Sequence, residues 1–156
     1  MVGEKTGDIR FMNVSFHIPG QPSGKGRPRF ARRGAFVATY TDSKTASYEN
    51  LVKLAASQAM GGRDLIDVPV SVVVGMYHQI PKSWSKKKKN GALSGAILPA
   101  VKCDMDNCIK AVFDALNGVV WVDDVQVVEL KSIKRYDNIP RVEVTVSYAH
   151  VEVTAL

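Results

Sequence analysis

The sequence predicts a single α+β domain in which a mixed, mostly antiparallel sheet packs against two main helices. Three observations carry this. Runs with the two-residue alternation of strands occur near both ends and in the middle of the chain. Two amphipathic helical stretches separate them. No repeat or Pro/Gly/Ser-rich linker divides the 156 residues, a length that suits one core. The expected order is β-β-α-β-(α)-α-β-β.

The opening "MVGEKTGDIRF" lacks the apolar core of a signal peptide, so residues 1–9 read as a flexible tail before a domain spanning 10–156. "FMNVSFHIP" alternates, with Val14, Phe16 and Ile18 on one face, and Pro19 stops it. "GQPSGKGRPRFARRG" is rich in Gly and Pro and reads as a loop, with "AFVATY" as a short returning strand. In "TDSKTASYENLVKLAASQAMGG", Thr41, Asp42 or Ser43 caps a helix. Tyr48, Leu51, Val52, Ala55 and Ala59 form its apolar stripe, and Gly61 and Gly62 end it. "VPVSVVVGMYHQI" is apolar enough for a central strand. A short helix is expected after Ser83 or Ser85.

Between Asp106 and Asn117, Ile109, Val112, Phe113 and Leu116 recur at i, i+3, i+4, i+7, a helix stopped by Gly118. "VVWVDDVQVVELKSIKRY" and "PRVEVTVSYAHVEV", separated by "DNIP", are most simply an antiparallel pair.

Composition narrows the function classes. No apolar run approaches the ~18 residues of a membrane span. Cys103 and Cys108 are too few and too close for a disulfide framework and lack zinc-ligand partners. Both read as reduced packing residues in a cytoplasmic protein. The net charge is +6 and unevenly placed. Lys25, Arg27, Arg29, Arg32 and Arg33 fall in one segment without an acid, and Lys82, Lys86, Lys87, Lys88, Lys89 and Lys102 in another. Solvated faces usually mix signs, so these segments point to a polyanion, most simply nucleic acid. Phe30 among the arginines and Trp84 among the lysines either stack on bases or anchor their segments to the core. Trp121 reads as core. His17, His78 and His150 lie on expected strands and read as structural.

Against this basic background, Asp104, Asp106, Asp114, Asp123 and Asp124 gather in "KCDMDNCIKAVFDALNGVVWVDD". Two accounts compete. Aspartates at a helix start accept backbone N–H bonds and suit the positive end of the helix dipole. Alternatively, they form a cage for a divalent metal. Asp106, Lys110 and Asp114 make one i, i+4, i+8 stripe beside the apolar face. If "VVW" is a strand returning antiparallel to the helix, it carries Asp123 and Asp124 back to Asp104 and Asp106. Two bare carboxylates ~5 Å apart repel by roughly 3 kcal/mol at an effective dielectric near 20. Mg²⁺, which takes hard oxygen ligands and waters, would reverse that term.

The stretch "DMDNCIKAVFDALNGVVWVDDVQVVEL" resembles the signature of RusA-type Holliday-junction resolvases, roughly D-x-D-N-x-x-K-A-x-x-D-A-L-N-x-x-x-W-x-D-D-x-Q-V. The likeness extends to "IPGQPSGKGRPRF", "YTDSKTASYENLV" and "PKSWSKKKK", from Phe16 to Leu130. The resemblance implies a RusA-like fold and a small homodimeric endonuclease, often encoded by bacteriophages and prophages. Such an enzyme uses Mg²⁺ (Mn²⁺ substituting) to nick four-way DNA junctions symmetrically in recombination and repair. It would act in the cytoplasm of a bacterial or phage-infected cell. It further implies that Asp104, Asp106 and Asp124 are metal-binding and catalytic, with Lys110 the catalytic lysine. Asp123 and Asn107 match with less defined roles. Lys25, Arg27, Arg29, Arg32, Arg33, Lys82 and Lys86 to Lys89 are the expected DNA contacts. A non-catalytic junction binder, or a nuclease for flaps or forks, would share much of this pattern.

Overall fold

A computed structural model describes residues 7–26, 29–40 and 43–152. The order is β1 (Asp8–Pro19), β2 (Arg29–Arg33), β3 (Phe36–Tyr40), α1 (Ser43–Met60), β4 (Val70–Gln79), α2 (Lys86–Leu93), α3 (Met105–Leu116), a 3-10 turn (Asp124–Gln126), β5 (Val127–Asp137) and β6 (Arg141–Glu152). Among the described residues the strands form a four-stranded sheet, β1-β6-β4-β5, and a separate β2-β3 ribbon. The α+β architecture with a mixed sheet is the one expected from sequence.

Alternation decides which face of the sheet is core. Val14 and Ile18 of β1, Val72, Val74 and Met76 of β4, and Val142, Val144 and Val146 of β6 are all buried. They meet Val52 and Ala56 of α1 and Cys108, Val112 and Leu116 of α3. α3 is so apolar on one side because it covers the sheet while its other side meets solvent.

Three local expectations are corrected. β5 and β6 do not pair with each other. β4 lies between them, parallel to β5 and antiparallel to β6. A near-continuously apolar strand must be paired along both edges, and α3 supplies the crossover that a parallel neighbour requires. The basic segment is also not all loop: Arg29–Arg33 pairs with Phe36–Tyr40 through a two-residue turn. Gly34, at φ 62°, permits that turn. Finally, residues 119–123 are not a strand. Trp121 makes isolated bridges to Ile66 and Asn117, and regular pairing resumes at Val127. The possible cap residues Thr41 and Asp42 lie outside the described residues. β1 begins at Asp8, inside the expected tail.

Candidate active site

The first residues of α3 are placed from three sides. Cys103 and Cys108, at N′ and N4 of the helix, hydrogen-bond to each other and pack in the core, a staple that fixes how the chain enters. The contact pulls the Cys103 thiol below its ordinary pKa and raises that of Cys108. Lys134 of β5 donates from Nζ to the Val101 carbonyl at 2.6 Å and to the Cys103 carbonyl at 3.0 Å. On the remaining side, Asn107 Nδ2 donates to the Lys25 carbonyl at 3.0 Å. Gly24 presses so closely on Asn107 and Cys103 that a Cβ there would collide.

In this frame Asp104 is the N-cap of α3, extended at φ −64°, ψ 142°, yet its carboxylate makes no cap hydrogen bond. Asp106 Oδ1 accepts from the Asn107 amide at 2.9 Å. Neither aspartate, nor Asp124, is in an ion pair among the described residues.

The second acidic pair is placed by Trp121 and Gln126. The Trp121 indole is fully buried, edge-on to Phe113, and its Nε1 donates to Asn117 Oδ1 at 2.7 Å. Burying such a ring contributes about 1.5–3 kcal/mol. Gln126 Oε1 accepts from the Val122 and Asp123 amides, and its Nε2 donates to the Ile66 and Val68 carbonyls. Asp123 Oδ1 accepts from the Val125 amide at 3.3 Å, completing a capping box with Gln126. The cap account is therefore right for Asp123. Asp124, next in the chain, is left half-buried at the mouth of a groove.

That groove, ≈ 960 Å³, runs between α3 and β5 and is lined by Asp106, Lys110 and Asp124 among apolar residues such as Ile109 and Phe113. Asp104 instead lines an adjoining cavity of ≈ 470 Å³ with Asn107 and Lys102. Thus two of the expected carboxylates share one groove and the third stands on the next cavity. No group of three or more His, Cys, Asp or Glu side chains is close enough to hold a metal ion among the described residues. The donor set still fits a hard divalent cation. Mg²⁺ is commonly held by one or two carboxylates, with waters and substrate phosphate completing its shell.

Lys110 is 65% exposed, with its Nζ 3.6 Å from Asp114. Asp114 is held more closely by Lys25, at 2.6 Å, with Glu49 a further 3.8 Å partner of that lysine. The hydrogen bond to Asp114 raises the Lys25 pKa despite partial burial. Lys25 and Asn107 thereby pin the 22–26 segment to α3.

Among the other expected DNA contacts, Lys82, Lys86, Lys87 and Lys88 are exposed and Lys89 half-buried, Ser85 capping α2 by accepting from the Lys88 amide. Arg32 is exposed on β2. Arg27 lies outside the described residues, as do the side chains of Arg29 and Arg33. Phe30 is 71% exposed and so does not anchor its strand to the core. Trp84 does anchor, packing edge-on against Tyr136 with Lys88 Nζ 4.0 Å from its ring centre. His17 and His150 are exposed, and His78 is buried.

The profile of the family described as Endodeoxyribonuclease RusA matches residues 19–147. The chain belongs to the RusA endodeoxyribonuclease family. It is also similar to the "Uncharacterized protein YqaN" of Bacillus subtilis (strain 168), with 42% identity over 135 residues that cover 85% of this chain and 94% of that protein. Membership makes the chain a DNA phosphodiester hydrolase of a junction-resolving family. Within the RusA signature, Asn107, Asn117, Trp121 and Gln126 tie down the segments that carry the carboxylates. Lys134 does the same from outside it. Nothing in the sequence marked Lys134, one basic residue on an alternating strand, because its partners are backbone carbonyls 31 and 33 positions away.

Proposed function

We propose that the protein is a Mg²⁺-dependent endodeoxyribonuclease that resolves four-way DNA junctions as a homodimer, with one nick in each of two opposed strands. One observation carries this reading. The segments that carry Asp104, Asp106 and Asp124 are tied down by Asn107, Lys134 and Gln126, yet none of the three carboxylates is in an ion pair among the described residues and Asp104 makes no cap hydrogen bond. Asp106 and Asp124 line one groove, and unpaired carboxylates there suit a hard cation whose shell waters and a substrate phosphate complete.

Asp106 and Asp124, with Asp104 at the adjoining edge, would hold the metal. Bound there, a divalent cation supplies a more acidic water and stabilises charge on the attacked phosphorus and the leaving 3′-oxygen. Lys110 Nζ, loosely held by Asp114, orients the scissile phosphate in the groove. Ile109 and Phe113 limit water at its apolar wall. The products are a 5′-phosphate and a 3′-hydroxyl, which a ligase can rejoin. Exposed α2 lysines and the β2-β3 ribbon supply phosphate contacts whose contribution falls with salt. Two-fold symmetry of a dimer matches the paired cuts that resolution needs. The site of action is the cytoplasm of a bacterial or phage-infected cell.

The test is a labelled four-way junction and a matched linear duplex, each incubated with and without Mg²⁺ or Mn²⁺. Paired symmetric nicks confined to the junction and to metal-containing reactions are expected. Binding without cutting would instead establish a non-catalytic junction protein, and equal or faster cutting of flaps or forks would move the substrate. Sedimentation at micromolar concentration should give a dimer.

A further inference from the structure

Cys103 and Cys108, the staple at the entry to α3, are a pair of thiols with unequal access. Both are free, and they hydrogen-bond to each other. Cys108 is fully buried in the core beneath the sheet, among Val112 and Leu116. Cys103 is half-buried and lines the ≈ 470 Å³ cavity beside Asp104. A small solute entering that cavity meets the Cys103 sulfur first.

The pair also brackets the acidic start of the helix. Asp104, Met105, Asp106 and Asn107 lie between the cysteines, so a bond joining the sulfurs closes a ring around Asp104 and Asp106. Such a bond, at about 2.05 Å, is much shorter than a hydrogen-bonded contact between thiols, so one end must move to form it. Cys108 sits in a close-packed core that resists displacement. The movement falls on Cys103, whose carbonyl Lys134 Nζ holds at 3.0 Å, and on Asp104, which follows it in the chain. Asp104 is tied to the helix by its own carbonyl, which accepts from the Cys108 amide at 3.0 Å. Closing the ring strains that first helical hydrogen bond.

We propose that Cys103 and Cys108 are a reversible oxidation site, closed by hydrogen peroxide and reopened by a dithiol, that displaces Asp104 when closed. The Cys103 sulfur attacks one oxygen of the peroxide and the O–O bond breaks, leaving a Cys103 sulfenic acid and one water. The Cys108 sulfur then attacks the Cys103 sulfur. The S–O bond breaks, and the Cys108 thiol proton leaves with the hydroxyl as a second water. One peroxide is thereby reduced and two thiols are oxidised to one disulfide. A dithiol reverses this by exchange, taking the disulfide itself. In the cytoplasm thiols rest reduced, and disulfides there are usually transient, catalytic or redox-sensing. The effect on cutting rests on the nuclease reading, whereas the oxidation chemistry does not.

The test treats the folded full-length protein with limiting hydrogen peroxide, removes the excess, and counts by intact mass the thiols that iodoacetamide can still block after unfolding. Wild type should have none left to block, within a single chain, and a dithiol should restore both. C108S, without the second sulfur, should stop at a sulfenic acid that dimedone captures. C103S should react several-fold more slowly, its remaining thiol being buried. On oxidation of wild type, NMR hydrogen exchange at the Cys108 amide should speed up, and junction cutting in Mg²⁺ should fall several-fold and recover with the dithiol. Peroxide should leave C103S at its own untreated rate. Two blockable thiols in treated wild type, or a disulfide between chains, would overturn the site. A disulfide with unchanged exchange at Cys108 would overturn the displacement of Asp104. If untreated wild type binds junctions but does not cut them, the nuclease reading falls, while mass and exchange still decide the oxidation site.

Discussion

The two ends of the acidic stretch use the same residue for opposite purposes. At the start of α3, a twelve-residue helix, the N-cap Asp104 leaves the helix uncapped. At the 3-10 turn, only three residues long, Asp123 caps and Gln126 completes the box. The longer helix, with more to gain from a cap, goes without one, while the shorter turn is secured. Caps typically contribute ~1 kcal/mol. The difference teaches that the fold uses the Asp123 side chain and makes no cap of the Asp104 side chain, which leaves Asp104 available for the metal role proposed above.

The largest effect should separate ligands from supports. Asp106→Asn and Asp124→Asn should each lower junction cleavage by about 10³-fold or more, roughly 4 kcal/mol of transition-state stabilisation. Gel-shift affinity should be unchanged or tighter, since the amide no longer repels phosphate. Nicking at a near wild-type rate would return both residues to the cap account.

Gln126→Leu comes next. It strips partners from two amides and two carbonyls, so unfolding in urea should show a loss of about 2–4 kcal/mol. Cleavage should fall as well, because Asp124 loses its support. A stable variant with full activity would show that the box does not position the site.

Metal should then stabilise the fold. At a concentration 100 times its Kd, Mg²⁺ or Mn²⁺ adds about 2.7 kcal/mol, read as a rise in melting temperature. Asp106→Asn should abolish the rise. Should wild type show none, the measurement with junction DNA present decides whether the carboxylates bind metal only in the complex.

The comparison itself is tested by alanine at the two caps. Asp123→Ala should cost about 1 kcal/mol in urea unfolding and reduce cleavage by less than ~10-fold. Asp104→Ala should cost under ~0.5 kcal/mol, there being no cap bond to lose, yet remove cleavage. Reversed outcomes would exchange the two roles.

The smallest effect concerns His78. Its folded pKa lies below the ordinary 6.5, so the unfolded chain binds the proton first as pH falls. Its contribution is complete above pH 6.5 and declines as pH drops from there to the lowered folded value. His78→Gln should flatten the stability profile in that window, measured by urea midpoints. An unchanged profile would show that the imidazole gains its proton without cost.

Much of this was legible in the sequence because it is local. The helix expected from Asp106 to Asn117 matches α3 to within a residue at each end, Ser85 caps α2, and alternation in β1, β4 and β6 marks their buried faces. The charge segregation is equally local, and the signature motif carries the family. Tertiary structure decided what local pattern cannot. The insertion of β4 between β5 and β6 follows from which edges must be paired, a property of the whole sheet. Asp104 and Asp106, two residues apart, open onto different cavities because an extended N-cap and a helical residue point apart. Lys25 stands in an arginine-rich segment, yet Asp114, 89 positions away, determines that its ammonium serves the fold. Charge and period are properties of the chain, whereas the partner of a charge is settled only when distant segments are packed together.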